Sequence, residues 1–142
     1  MKKESQLLGH HSPITSLHSI PFNKTLVSAC ERGSIRIYDL NTNKCIRGIQ
    51  LSESVNCVIS NTSNTLYACS GTDIHTIDLR QPGLIIKPPF RTYSMSKDEI
   101  NQISLHSNNH FLSSADDDGL IQVIDLRTHQ PFKKLKRQHS NV

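Results

Sequence analysis

The chain has 142 residues, 35% of them hydrophobic and 5% aromatic, and no tryptophan. That is one domain's worth of chain with a lean core, and no stretch approaches the run of about 20 apolar residues that a membrane-spanning helix needs. The net charge of +4, with histidines counted neutral, favours acidic partners but is too small to indicate nucleic acid by itself.

Short strand-like segments follow one another, separated by turn residues, and no useful length shows helical periodicity. Ile14–Ile20 alternates between two faces, and 21–24 (Pro-Phe-Asn-Lys) turns the chain into a second strand, Thr25–Cys30. A tight turn at Gly33 leads to Ser34–Asp39, and 41–43 (Asn-Thr-Asn) leads to Lys44–Gln50. The pattern returns as Val55–Ser60, Thr65–Ser70, Asp73–Asp78 and a strand at 84–87, stopped by Pro88 and Pro89 because proline cannot donate to a ladder. A third round reads as strands at 100–106, 110–115, 120–125 and 132–136, preceded by an insertion at 91–97. The expected class is all-β.

Three of these strands end alike, in Asp39-Leu40, Asp78-Leu79 and Asp125-Leu126. The aspartates lie 39 and 47 residues apart. A repeat near forty residues built from four short strands points to blades of a β-propeller. The blades are expected at about 9–50, 53–90 and 98–137, with 138–142 opening a fourth. Propellers close with four to eight blades. Three blades therefore read as part of a larger, open propeller that self-associates when isolated.

Gly9-His10, followed by Tyr38-Asp39, resembles the Gly-His and Trp-Asp signature of WD40 repeats. Tyr38, Ile77 and Ile124 stand where that family carries tryptophan. The resemblance implies a non-catalytic scaffold for protein partners. It also implies a hydrogen-bond network inside the blades, with His10 a member in blade one and Ser114 and Asp118 members in blade three.

The last two strand ends add an arginine, giving Asp78-Leu79-Arg80 and Asp125-Leu126-Arg127. In a subset of WD40 proteins such a strand end docks on the damaged-DNA-binding adaptor of cullin-RING ubiquitin ligases. The resemblance thus implies a substrate receptor that meets the adaptor through Asp78, Arg80, Asp125 and Arg127. An arginine just past a rigid strand suits this, because its planar fork of five donors matches carbonyls or carboxylates. Each arginine can equally pair with its own blade's aspartate. A general protein- or peptide-binding propeller and a nucleic-acid-associated scaffold stand as the other readings.

The remaining features read as structural. Asp116-Asp117-Asp118-Gly119 lacks the spacing of a calcium loop and suits a hairpin turn. The basic run at 133–137 falls on an outer strand, where lysines guard an edge, and otherwise resembles a nuclear-localisation cluster. Histidines and cysteines are scattered without zinc spacing. No metal, cofactor or catalytic residue is expected. The cysteines, without a Cys-x-x-Cys pair, fit reduced thiols in the cytoplasm or nucleus.

Overall fold

A computed structural model of the chain describes residues 6–62, 64–88 and 90–135. The described residues form three four-stranded antiparallel sheets. The first holds β1 (Ile14–Ile20), β2 (Thr25–Cys30), β3 (Ser34–Asp39) and β4 (Lys44–Gln50) side by side in chain order. The second holds β5 (Val55–Ser60), β6 (Thr65–Ser70), β7 (Asp73–Asp78) and β8 (Arg91–Tyr93). The third holds β9 (Ile100–Leu105), β10 (Phe111–Asp116), β11 (Ile121–Asp125) and β12 (Gln130–Leu135). β1 packs on β5 and β5 on β9, so the sheets are consecutive blades of an open arc.

Alternation along the strands builds the cores between blades. Successive residues of a strand point to opposite faces, so blade two serves two partners at once. Leu66 and Ala68 join Val27, Ile35 and Ile37 of blade one in the first core. Tyr67 and Cys69 join Ile103, Leu112 and Ile124 of blade three in the second. Each fully buried Leu or Ile contributes roughly 1.5–3 kcal/mol, which lets a chain so poor in aromatics hold together.

The repeat also shows what blade three lacks. Ile35 and Ile121 hold equivalent places, one residue into the third strand of the repeat, yet Ile35 is 0% exposed and Ile121 43%. Among the described residues, nothing covers the far face of blade three. The segment 136–142, where the sequence suggests a fourth blade, lies outside the described residues, as do Lys136 and Arg137 of the basic run.

One strand falls elsewhere than expected. The outer strand of blade two is β8, drawn from the stretch read as an insertion, with Ile74 opposite Tyr93 and Thr76 opposite Arg91. The segment at 84–87 instead runs parallel to the outer strand of blade one. Gly48 N donates to Leu84 O at 2.8 Å, and Ile86 N donates to Gly48 O at 3.0 Å. Ile86 buries its side chain in the first core. The apolar run read as a strand forms only a single parallel bridge, from Ile85 to Gly48 of the neighbouring sheet, and is not a strand of blade two.

Gly33 has to be glycine. Its φ is +77°, and a Cβ there would lie 2.4 Å from the carbonyl oxygen of Leu51. Glycine alone lets the connection between blades one and two cross so closely.

Candidate docking face

The repeated Asp-Leu has a local cause. In each blade the aspartate ends the third strand, and Oδ1 accepts the backbone N–H two residues on, from Asn41 at 2.8 Å, Arg80 at 2.9 Å and Arg127 at 2.9 Å. The leucine N–H donates to the turn between the blade's first two strands: Leu40 to Lys24 O, Leu79 to Asn64 O and Leu126 to His110 O, at 2.8–2.9 Å. Aspartate thus closes one turn and leucine latches it to the neighbouring turn. Both turns lie at the same end of the blade, because the strands run up and down in order.

The arginines complete this arrangement. Arg80 donates from Nε and Nη2 to the two carboxylate oxygens of Asp78, at 3.0 and 2.9 Å. Arg127 does the same to Asp125, at 3.1 and 3.0 Å. In blade one, Thr42 Oγ1 donates to Asp39 Oδ2 at 3.1 Å in the arginine's stead. Of the two roles open to each arginine from sequence, the structure shows the pairing within its own blade. That pairing holds the Asp78 carboxyl down at about 2, through the Arg80 side chain first and the Arg80 N–H second. Arg127 and its N–H depress Asp125 in the same way.

The pairing leaves much of each guanidinium outward. The Arg80 side chain is 72% exposed and that of Arg127 is 56% exposed. Nη1 of each has no hydrogen-bond partner among the described residues. Arg127 also lies 5.6 Å from the centroid of the Phe111 ring, which in turn packs on Phe132 at 4.9 Å.

Between blades one and two this same end opens a cleft of about 320 Å³, lined by His18, Phe22, Asn61, Asn64, Leu79 and Asn109 among others. Phe22 stands 83% exposed at its lip. His18 Nε2 meets Ser60 Oγ at 3.1 Å across the blade boundary, and burial lowers the His18 pKa. Arg47 reaches across from β4 and donates through Nη1 to the carbonyls of Leu79 and Gln81, each at 2.5 Å. Sequence reading passed over Phe22 and Arg47. The recurring turn at the end of the first strand was the signal for Phe22, whereas nothing local marks Arg47.

The expected network residues lie at the opposite end and separate. His10 Nε2 meets Ser28 Oγ at 2.5 Å, and the Ser28 hydroxyl also hydrogen-bonds Tyr38. Gly9 packs so near that a Cβ would stand 2.9 Å from the Tyr38 hydroxyl. Burial, then the positive charge of Arg36, lowers the His10 pKa. In blade three Ser114 is buried, whereas Asp118 is exposed at its turn. Asp116 is the buried carboxylate: its Oδ1 accepts Leu120 N at 2.9 Å, and its Oδ2 accepts the Ser96 hydroxyl. Beside it the buried Gln122 donates to Met95 O at 3.0 Å. Aligning the three second strands, in which Cys30, Ser70 and Asp116 are equivalent, would have found Asp116.

Among the described residues, no three histidine, cysteine or acidic side chains gather to hold a metal, and no helix is long and apolar enough to cross a membrane. The site is built of turns, an exposed ring and outward guanidinium groups, which is the equipment of a binding surface.

Four-stranded meanders whose first strands pack on one another, with Gly-His at the start and Asp-Leu closing the third strand, define a β-propeller of repeated blades. The WD domain, G-beta repeat family matches residues 1–39 and 87–125, more than half of the chain. The chain belongs to the WD40-repeat family, whose propellers are generally non-catalytic scaffolds that bind other proteins.

It is 32% identical, over 98% of its length, to the WD repeat-containing protein 53 homolog of Dictyostelium discoideum, of which it spans 39%. It is 28% identical, over 97% of its length, to the ribosome biogenesis protein WDR12 homolog of Oryza sativa subsp. japonica, of which it spans 32%. The chain thus covers about a third to two-fifths of these relatives. The crystal structure of the RRP9 WD40 repeats superposes with a TM-score of 0.80 at 19% identity, over 94% of this chain and 42% of that one. That likeness concerns the fold.

Proposed function

We propose that the chain is part of a scaffold that docks the damaged-DNA-binding adaptor of a cullin-RING ligase through the end carrying Arg80 and Arg127. The supporting observation is that both arginines leave homologous strand ends in one geometry, each pinned by its aspartate at Nε and Nη2. A pinned guanidinium has lost its rotamer freedom before binding, so its outward donors cost less to order at an interface. Asp39-Leu40-Asn41 offers no such group in blade one. The contact would therefore span blades two and three, with the exposed rings of Phe22 and Phe132 on its flanks. Arg127→Ala and Arg80→Ala are the test. Loss of adaptor co-purification with an unchanged fold supports the reading, and undiminished co-purification removes it.

A second reading follows from the rice relative, whose name places it in ribosome biogenesis. There the same face would meet an assembly factor, and the partner captured by affinity purification would be pre-ribosomal. The variants above separate the two readings by which partner is lost.

A further inference from the structure

We propose that Cys57 and Cys69 form a redox-active dithiol that hydrogen peroxide converts to a cross-strand disulfide inside blade two. The two residues stand directly opposite each other in the register of β5 and β6. Antiparallel partners have Cα atoms about 4.5–5.5 Å apart, within the roughly 4.4–6.8 Å that a disulfide spans. Both side chains point toward blade three. Cys69 lies in the second core and Cys57 packs at its edge, half-buried and open to a small oxidant. The other two thiols lack such a partner: Cys30 faces Ile14, and Cys45 faces Tyr38. All four cysteines are free.

The pair is also polarised. The thiols hydrogen-bond to each other, and this first, with help from a backbone hydrogen bond at Ile103, brings Cys57 down to about 6. The same contact, with burial, pushes Cys69 up. Cys57, half-buried, is the sulfur that peroxide reaches first, and the buried Cys69 is the one placed to follow. The Cys57 thiolate attacks one peroxide oxygen, forming S–O as O–O breaks and hydroxide leaves. The Cys69 sulfur then attacks the Cys57 sulfenyl sulfur, S–S forms, S–O breaks, and the Cys69 proton departs in water. Two thiols are oxidised by two electrons and one peroxide is reduced to two waters. A disulfide there locks the inner strand of blade two to its neighbour, at the boundary with blade three.

The test uses the whole chain, reduced, exposed to hydrogen peroxide, alkylated and digested. One tryptic peptide, 48–80, contains both cysteines, and Cys45 in a separate peptide serves as the exposed comparator. The expected product is peptide 48–80 lighter by two hydrogens and carrying no alkyl group. It forms before Cys45 is oxidised, stays joined after chymotryptic cleavage at Tyr67, and reverts with dithiothreitol. Cys69→Ser should leave a Cys57 sulfenic acid that dimedone captures several-fold more than in the wild type. Prior loss of Cys45, sulfinic acid at Cys57 without the joined peptide, disulfides only between chains, or equal dimedone capture in both proteins would each overturn the proposal. Should Cys69→Ser fail to fold, the wild-type time course decides.

Discussion

The Arg127 guanidinium covers the ring of Phe111 at 5.6 Å while gripping Asp125, whereas Arg80 grips Asp78 and, among the described residues, lies over no ring. Two arginines with the same hydrogen bonds therefore differ in what they shield.

The first prediction follows from that difference. Arg127→Ala uncovers an aromatic surface and should lower the melting temperature by more than Arg80→Ala, which breaks an ion pair standing in solvent. Thermal denaturation of both variants at one salt concentration checks the order, and equal shifts would contradict it.

The Asp78 pair should leave a mark at acid pH. The folded value is depressed to about 2 from an ordinary 3.8, so the pair's contribution is fully present above 3.8 and disappears as pH falls through about 2. The difference in melting temperature between wild type and Asp78→Asn should shrink across that window. Because the pair is exposed, added salt should shrink it as well.

His10 gives the opposite end of the scale. Burial, then Arg36, depresses its pKa below 6.5, so the fold favours the neutral ring. Its contribution is present above 6.5 and fades as the solution is acidified through the lower folded value. Melting temperature measured from about pH 8 down to about pH 5 should fall less steeply in His10→Gln than in the wild type.

In blade three, the neighbouring aspartates should separate cleanly. Asp116→Ala strands the Leu120 N–H and the Ser96 hydroxyl, a loss of about 1–3 kcal/mol in chemical denaturation. Asp118→Ala, at an exposed turn, should stay within about 0.5 kcal/mol. The reverse order would return the structural role to Asp118.

Ile35 and Ile121 test the repeat itself. Ile35→Ala empties a packed site and should cost about 2–5 kcal/mol. Ile121→Ala, at a face with nothing upon it among the described residues, should cost about 1 kcal/mol or less. It should also reduce concentration-dependent self-association in sedimentation.

Much of this was legible in the chain. Period-two alternation and the thrice-repeated Asp-Leu specify the blades, because both are local: one sets which face a side chain takes, the other closes a turn within two residues. The outer strand of blade two was not legible, because Leu84-Ile85-Ile86 has better strand chemistry than Arg91-Thr92-Tyr93. What decides between them is Gly48, some forty residues away. Asp116 and Asp118 look alike in sequence, and only the pitch of the hairpin buries one and exposes the other. The arginines were found from sequence, but their grip on the preceding aspartate depends on turn geometry.

The segment 84–86 gives the arc an uneven hold. By hydrogen-bonding to Gly48 it straps the far rim of blade two to the rim of blade one, and Arg47 adds a second tie at Leu79 and Gln81. Blade three is tied to blade two through the backbone at one point, where Ile100 N donates to Gly71 O at 2.9 Å. The second core, the Asn56 side chain reaching Glu99 and Ile100, the turn contact between Asn109 and Thr62, and the Tyr93 hydroxyl meeting His129 Nδ1 at 2.7 Å add to that attachment. In native-state amide exchange, blades one and two should open together as one slow unit, with blade three exchanging ahead of them. A force applied at the docking end would then peel the arc from one side only, and the dithiol of blade two sits at the line where peeling would stop.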